Sequence, residues 1–248
     1  MGAPLALLKA FSVPKQPDVA NEDRWHIHET AGTSIYALSD GASVSFDSAP
    51  WAEILCSKFA YDPKVTDTWL ASASGEYENL YNREVMPWMM QASFDQGAFA
   101  SLLGLIVDPI HAEAFVVAVG DSILVRLSGS SFVDSYPYTC VDQFDAAPQL
   151  LSTKASHNRF YVERVKSFYH RSSLNDVDAP GFLMMTDALG RWYLEFGKDD
   201  PIFITEMLCS SHAKFEHFVL SERAAGRLRK DDTTLLIVAS DVTLSAIY

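Results

Sequence analysis

Polar and apolar residues alternate over residues 24–29 (RWHIHE), and a second short run at 34–38 (SIYAL) follows the Ala31-Gly32-Thr33 turn. Period-two alternation marks half-buried strands, so the pair reads as a hairpin entering Ser39-Asp40-Gly41. From Ala49 to about Ser93 the period lengthens. Trp51, Ile54, Leu55 and Phe59, then Trp69, Tyr77, Leu80, Tyr81 and Val85, recur at helical spacing, with Pro63 between two helices. Strand character returns at 98–107, 113–119 and 122–127, with Asp108-Pro109 and Gly120-Asp121 as turns. Residues 128–180 mix polar, aromatic and proline-containing stretches, with one strand expected near 160–168. A buried run at 181–186 (GFLMMT) ends at Asp187. Amphipathic helices are expected near 199–211 and 213–228, and a further apolar strand at 233–239 (TTLLIVA) follows Asp231-Asp232.

Short links between strands favour antiparallel pairing, and the helices must cover the sheets. The expected class is α+β, in a single domain over residues 1–248. Composition agrees: 48% of the 248 residues are apolar and 21% charged, which sets aside disordered and fibrous chains. The net charge of −13 comes without a basic stripe, so no nucleic-acid partner is expected. Cys56, Cys140 and Cys209 are odd in number and widely spaced, which argues for a reducing compartment and against a zinc ribbon. Cys140 and Cys209 read as small buried hydrophobes. The opening MGAPLALLKAF lacks a basic region, and no run approaches the ~18–20 apolar residues of a membrane span. The expectation is a cytoplasmic protein with no membrane partner.

Four aspartates stand at strand ends: Asp40 after IYALS, Asp121 in the Gly120-Asp121-Ser122 turn, Asp187 after FLMMT and Asp231 before TTLLIV. Aspartate is a common turn residue, and for any one of them that bland reading is enough. Four against apolar strands shift the balance, because converging carboxylates form a site for a hard cation.

Asn21-Glu22-Asp23, Ser39-Asp40-Gly41, Gly97-Ala98-Phe99-Ala100, Val119-Gly120-Asp121-Ser122, Thr186-Asp187-Ala188-Leu189 and Asp231-Asp232-Thr233-Thr234 follow in that order. In this order they resemble the metal-dependent serine/threonine phosphatases of the protein phosphatase 2C family, in a bacterial-type variant, over about residues 18–240. The resemblance implies a four-layer αββα sandwich, two antiparallel β-sheets flanked by helices, with two Mg²⁺ or Mn²⁺ ions at one end. It implies that Asp40 bridges the two ions, with the Gly41 carbonyl on one, and that Asp187 and Asp231 hold the other. Glu22 and Asp23 match the acidic pair that supports the centre, and Asp121 the acid that, with Asp187, holds a third ion in many bacterial members. Asp40, Asp187 and Asp231 are thus the catalytic set, and residues 140–180 fall where the family has its variable flap.

The implied function is metal-dependent hydrolysis of phosphoserine or phosphothreonine in a phosphorylated protein substrate. The sequence departs from the family at three places. Asp18 stands where the family has a phosphate-binding arginine, leaving Lys15 or Arg24 as candidates for that role. Ala42-Ser43 replaces the glycine-rich turn. Ala188 and Phe99 replace a usual glycine and threonine. These departures set up the alternatives: a catalytically weak pseudophosphatase acting as a regulatory or binding module, or a hydrolase of a small phosphorylated metabolite. Elsewhere, His26 and His28 share a strand face and read as solvent-facing rather than as ligands. Trp51, Trp69, Trp88, Met86, Met89 and Met90 read as core packing, with a peptide groove as the other use. Arg223, Arg227, Arg229 and Lys230 read as a solvated helix end.

Overall fold

The register of strand pairing carries the architecture. In the computed structural model, which describes residues 5–30 and 32–240, the elements run β1 (Ala6–Val13), β2 (Arg24–Glu29), β3 (Ser34–Ser39), α1 (Ser48–Tyr61), α2 (Asp67–Glu78), α3 (Trp88–Gln96), β4 (Phe99–Ala100), β5 (Leu102–Asp108), β6 (Glu113–Val119), β7 (Ile123–Ser128) and β8 (Ser131–Tyr136). They continue β9 (Leu151–Ser152), α4 (Arg159–Glu163), β10 (Tyr169–Ser173), β11 (Pro180–Met185), α5 (Asp187–Trp192), α6 (Pro201–Cys209), α7 (His212–Ala224) and β12 (Thr233–Ala239). One antiparallel sheet has the order β1-β12-β11-β7-β8 and the other β10-β6-β5-β3-β2, with β4 and β9 as a short separate pair.

Continuous apolar runs in β11 and β12 follow from burial on both faces. Leu235 and Ile237 point into a core shared with α5, α6 and α7, whereas Leu236 and Val238 face the opposing sheet. In β11, Leu183 and Met185 take the helix side, and Phe182 and Met184 the sheet side. The second sheet is covered by α1 and α2 through Trp51, Leu55, Phe59 and Leu70. The tip of the Phe59 ring meets β5 at Gly104, where an added Cβ would stand 2.2 Å from its Cζ. The layers are therefore α, β, β, α, as the resemblance implied. Side-chain caps fix the helix starts: Thr66 Oγ1 accepts from Trp69 N at 3.2 Å, and Asp200 Oδ1 from Ile202 N at 2.9 Å, ahead of Pro201.

The structure corrects several sequence expectations. No strand spans 160–168; residues 159–163 are helical, 165–168 form a 3₁₀ turn, and the strand is Tyr169–Ser173, paired with β6. The run 98–107 is broken at Ser101 into β4 and β5. Asp187 starts a helix as well as following a strand. Strands β1 and β8 were not foreseen, and the helical stretch expected to about Ser93 contains a separate third helix, α3. Cys140 and Cys209 are exposed, and only Cys56 is buried. Of the hairpin turn, Ala31 lies outside the described residues; beside it, Thr30 and Thr33 close the turn through an N–H to carbonyl bond of 2.9 Å. Among the described residues no helix is long and apolar enough to cross a membrane.

Candidate metal centre

Antiparallel register gathers the strand-end acids on one rim. Arg24 pairs with Ser39, so Asp23, just before β2, and Asp40, just after β3, leave the same end of their sheet. In the other sheet Met185 pairs with both Ile123 and Leu235. The end of β11 and the starts of β7 and β12 therefore coincide, which brings Asp187, Asp121 and the Asp231-Asp232 pair together. Ser101 joins the two sheets at this rim. Its N–H donates to the Asp40 carbonyl at 2.9 Å, its Oγ lies 2.9 Å from Asp40 N, and the same hydroxyl meets Ser122 Oγ at 2.9 Å. Gly120 fits here because its φ of +107° favours glycine and a Cβ would stand 2.6 Å from Ser101 Cβ.

The carboxyl groups perturb one another. Burial, reinforced by the charges of Asp23, Asp187, Asp121 and Asp231, pushes the Asp40 carboxyl well above the ordinary aspartate range. Burial and then Asp187 raise Asp121 to about 7. Burial and Asp231 raise Asp187, against the opposing pull of Arg229. Burial raises Asp23 to about 8 despite hydroxyl donors: Thr234 Oγ1 donates to its Oδ2 at 2.6 Å and Thr186 Oγ1 at 3.1 Å. The other oxygen, Asp23 Oδ1, is buried without a partner. Such an orphaned acceptor is costly in a protein interior and marks a place for a cation or proton.

The donor set is all oxygen, as a hard divalent cation requires. An orphaned buried carboxylate oxygen and a crowd of mutually raised acids fit that group. Among the described residues, however, no three His, Cys, Asp or Glu side chains are gathered around a single ion position. Positively charged and hydroxyl side chains hold the acids instead. Arg229 Nη1 donates to Asp187 Oδ2 at 3.1 Å. Glu22 is fully engaged: Lys15 Nζ donates to its Oε2 at 2.7 Å, Ser48 Oγ to its Oε1 at 2.6 Å, and Ser43 Oγ also donates to Oε2. Burial opposes ionisation of Glu22, but these bonds hold its carboxyl below the ordinary range.

Asp231 and Asp232 divide labour. Asp232 is buried and accepts two main-chain N–H groups, from Lys15 at 2.6 Å and Glu22 at 2.6 Å, which ties the β1–β2 connection to β12. Asp231 is left toward the other acids, its carbonyl gripped by Arg223. Arg223 Nη1 also donates to Pro14 O at 2.9 Å, and Nη2 to Thr233 Oγ1 at 3.0 Å. The reading of Arg223, Arg227, Arg229 and Lys230 as a solvated helix end therefore fails for Arg223; Arg229 is exposed as expected, yet it also reaches the acidic rim through Asp187. The two cations offered for phosphate are occupied. Lys15 is paired with Glu22, and Arg24 Nη1 donates to the carbonyls of Asn21 and Asp23, each at 2.7 Å. His26 bonds Glu53 at 2.7 Å and His28 packs at a tilt against Tyr61, so neither joins the rim.

No family profile and no curated protein matches the chain at the level of sequence. Solved structures do. The photosystem II phosphatase PBCP aligns with a TM-score of 0.61 and 14% identity, over 95% of this chain and 98% of that one. RsbX in complex with magnesium aligns at 0.52 and 15%, over 96% and 100%. The protein phosphatase 2C domain of SpoIIE from Bacillus subtilis, with a fragment of its regulatory domain, aligns at 0.55 and 12%, over 96% and 64%. The fold is that of the protein phosphatase 2C phosphatases.

Proposed function

We propose that the chain is a divalent-metal-dependent phosphatase of phosphoserine or phosphothreonine in proteins. The observation that carries this reading is the convergence of Asp23, Asp40, Asp121, Asp187 and Asp231 on one rim, with the carboxyls of Asp23, Asp40, Asp121 and Asp187 raised and Asp23 Oδ1 unpartnered. Magnesium in the RsbX structure supports the same metal class for this fold. Asp40, the Gly41 carbonyl, Asp187 and Asp231 would hold two Mg²⁺ or Mn²⁺ ions, Asp121 a third, and Glu22 and Asp23 would support them. Such ions supply an acidified water and neutralise phosphate charge.

The rest is done by the chain's own groups. Ser101 fixes the Asp40 backbone, Thr186 and Thr234 orient Asp23, and Asp232 and Arg223 hold the segment that presents Asp231. With Lys15 and Arg24 engaged, Arg229 is the cation available to a phosphate. Its side chain is 55% exposed, beside an Asp187 that is 9% exposed, and only one of its donors is used there. An exposed guanidinium fork matches two phosphate oxygens.

One observation favours the pseudophosphatase reading: Arg229 and Lys15 already neutralise Asp187 and Glu22. Turnover of p-nitrophenyl phosphate decides between them. The phosphatase reading expects Mn²⁺-dependent hydrolysis that EDTA stops and Asp187→Asn abolishes, while the exposed Asp142, Asp145, Asp176 and Asp178 tolerate the same change. Full activity in EDTA, or in Asp187→Asn, would overturn it.

A further inference from the structure

The helix α3 does not do what its sequence suggests. Of its nine residues only Phe94 is buried, and Trp88, Met89 and Met90 are 77%, 65% and 47% exposed. Together with the loop after Gly41 this helix walls a pocket of about 550 Å³, a volume typical of ligand sites. Ala42, Val44, Met89, Met90, Phe99 and Leu150 form half of its lining. Asp47 is the one ionisable side chain among the described lining residues, and its carboxylate already accepts a bond of 2.6 Å from the Tyr81 hydroxyl. Apart from that exposed carboxylate the described lining is uncharged, and its thioethers adapt to varied apolar shapes.

Its position says what that occupant is. Ala42 directly follows Gly41, so the pocket edge lies two residues, at most about 7 Å along the chain, from Asp40. On the other side Leu150 abuts Gly120, the neighbour of Asp121, with its Cδ2 3.2 Å from where a Cβ would stand. The pocket thus borders the acidic rim at two points, through Ala42 near Asp40 and through Leu150 beside the neighbour of Asp121. Resting on the phosphatase reading above, we infer that this pocket is a substrate subsite. It takes an uncharged, apolar side chain of the phosphorylated polypeptide, two or three residues from the phosphorylated one. An extended peptide covers about 7–10 Å in that span, enough to pass the two residues that separate Asp40 from the pocket edge at Ala42.

The test uses the intact chain and paired phosphoserine peptides of equal charge, carrying Leu or Ser at the second and third flanking positions. Turnover with Mn²⁺ is measured beside p-nitrophenyl phosphate, which is too small to reach the pocket. Binding of non-hydrolysable phosphonate versions is measured in parallel by fluorescence anisotropy. The Leu peptides are expected to exceed the Ser peptides about tenfold to hundredfold, the factor for burying one large apolar side chain. Met90→Lys and Val44→Lys, both at exposed positions, should erase that preference without changing p-nitrophenyl phosphate turnover. Inactivity toward p-nitrophenyl phosphate would defeat the phosphatase reading, whereas phosphonate binding would still decide the pocket. Equal binding of Leu and Ser peptides overturns the inference. So does a result in which Met90→Lys dissociates a dimer in sedimentation but leaves peptide preference intact, because a second copy would then be the occupant.

Discussion

Replacing a buried acid by its amide should stabilise this protein when metal is withheld. Asp23 is the case to test. Its carboxyl is raised to about 8, first by burial and then by the charges of Asp232 and Asp187. An ordinary aspartate titrates near 3.9, so at pH 7 the native group stays protonated about three pH units above its unfolded value. Each unit is worth about 1.36 kcal/mol, which gives an upper limit near 4 kcal/mol. The acids titrate as a group, so about 2 kcal/mol belongs to Asp23 alone. The sign follows from proton counts: the native state binds more protons than the unfolded chain between pH 4 and 8, so stability falls as pH rises through that window. In Asp23→Asn the side-chain oxygen still receives the Thr186 and Thr234 hydroxyls, and the amide replaces the oxygen that lacks a partner. Urea unfolding in EDTA at pH 5, 7 and 8.5 should show wild type losing stability with pH, and Asp23→Asn about 2 kcal/mol more stable at pH 7 with a flatter profile. Millimolar Mn²⁺ should raise the wild type by about 2.7 kcal/mol at a hundredfold excess over Kd, and the variant by less. A variant less stable than wild type in EDTA at pH 7, or identical pH slopes, would refute the reasoning.

Two further outcomes are expected. Asp232→Ala leaves the Lys15 and Glu22 N–H groups without their acceptor and should cost about 3 kcal/mol in urea unfolding; a loss under 1 kcal/mol would show that water serves them equally well. Arg229→Ala should raise KM for a phosphopeptide and Ki for inorganic phosphate by about tenfold to hundredfold, with the Mn²⁺ dependence unchanged; a rise in turnover instead would show that its ion pair with Asp187 holds the site shut.

The elements legible in the sequence are those whose surroundings are uniform. β11 and β12 are apolar on both faces, β2 alternates, and β3 is a short run buried along nearly its whole length, so composition and period agree with the fold. β8 (SFVDSY) is a mostly half-buried edge strand, and nothing in its polar alternation separates it from a loop. α3 was legible as helical residues, but its apolar side chains face outward, where periodicity carries no sign of which face is buried. Within the site, the aspartates stood out because each abuts a strand. The residues that hold them did not. Ser101, Thr186, Thr234 and Arg229 act through partners 21 to 211 positions away, Arg223 through residues as near as Asp231 and as far as Pro14, and the signal available for the threonines was their place beside Asp187 and Asp231.

The pairing of β1 with β12 sets an order of events during synthesis. Ala6 meets Ala239 and Val13 meets Thr233, and Asp232 fastens the connection that carries Glu22 and Asp23. While a ribosome is still translating the middle of the chain, β1 has no neighbour in its sheet and Glu22 has lost one anchor. The acidic rim cannot close until β12 has left the exit tunnel. A nascent chain with β3, β7 and β11 already paired would hold Asp40, Asp121 and Asp187 near one another without Asp231, an incomplete cradle for a cation. Closure of the rim is thereby deferred until β12 has been made and paired, and a truncated product lacking β12 would be left unstable at β1.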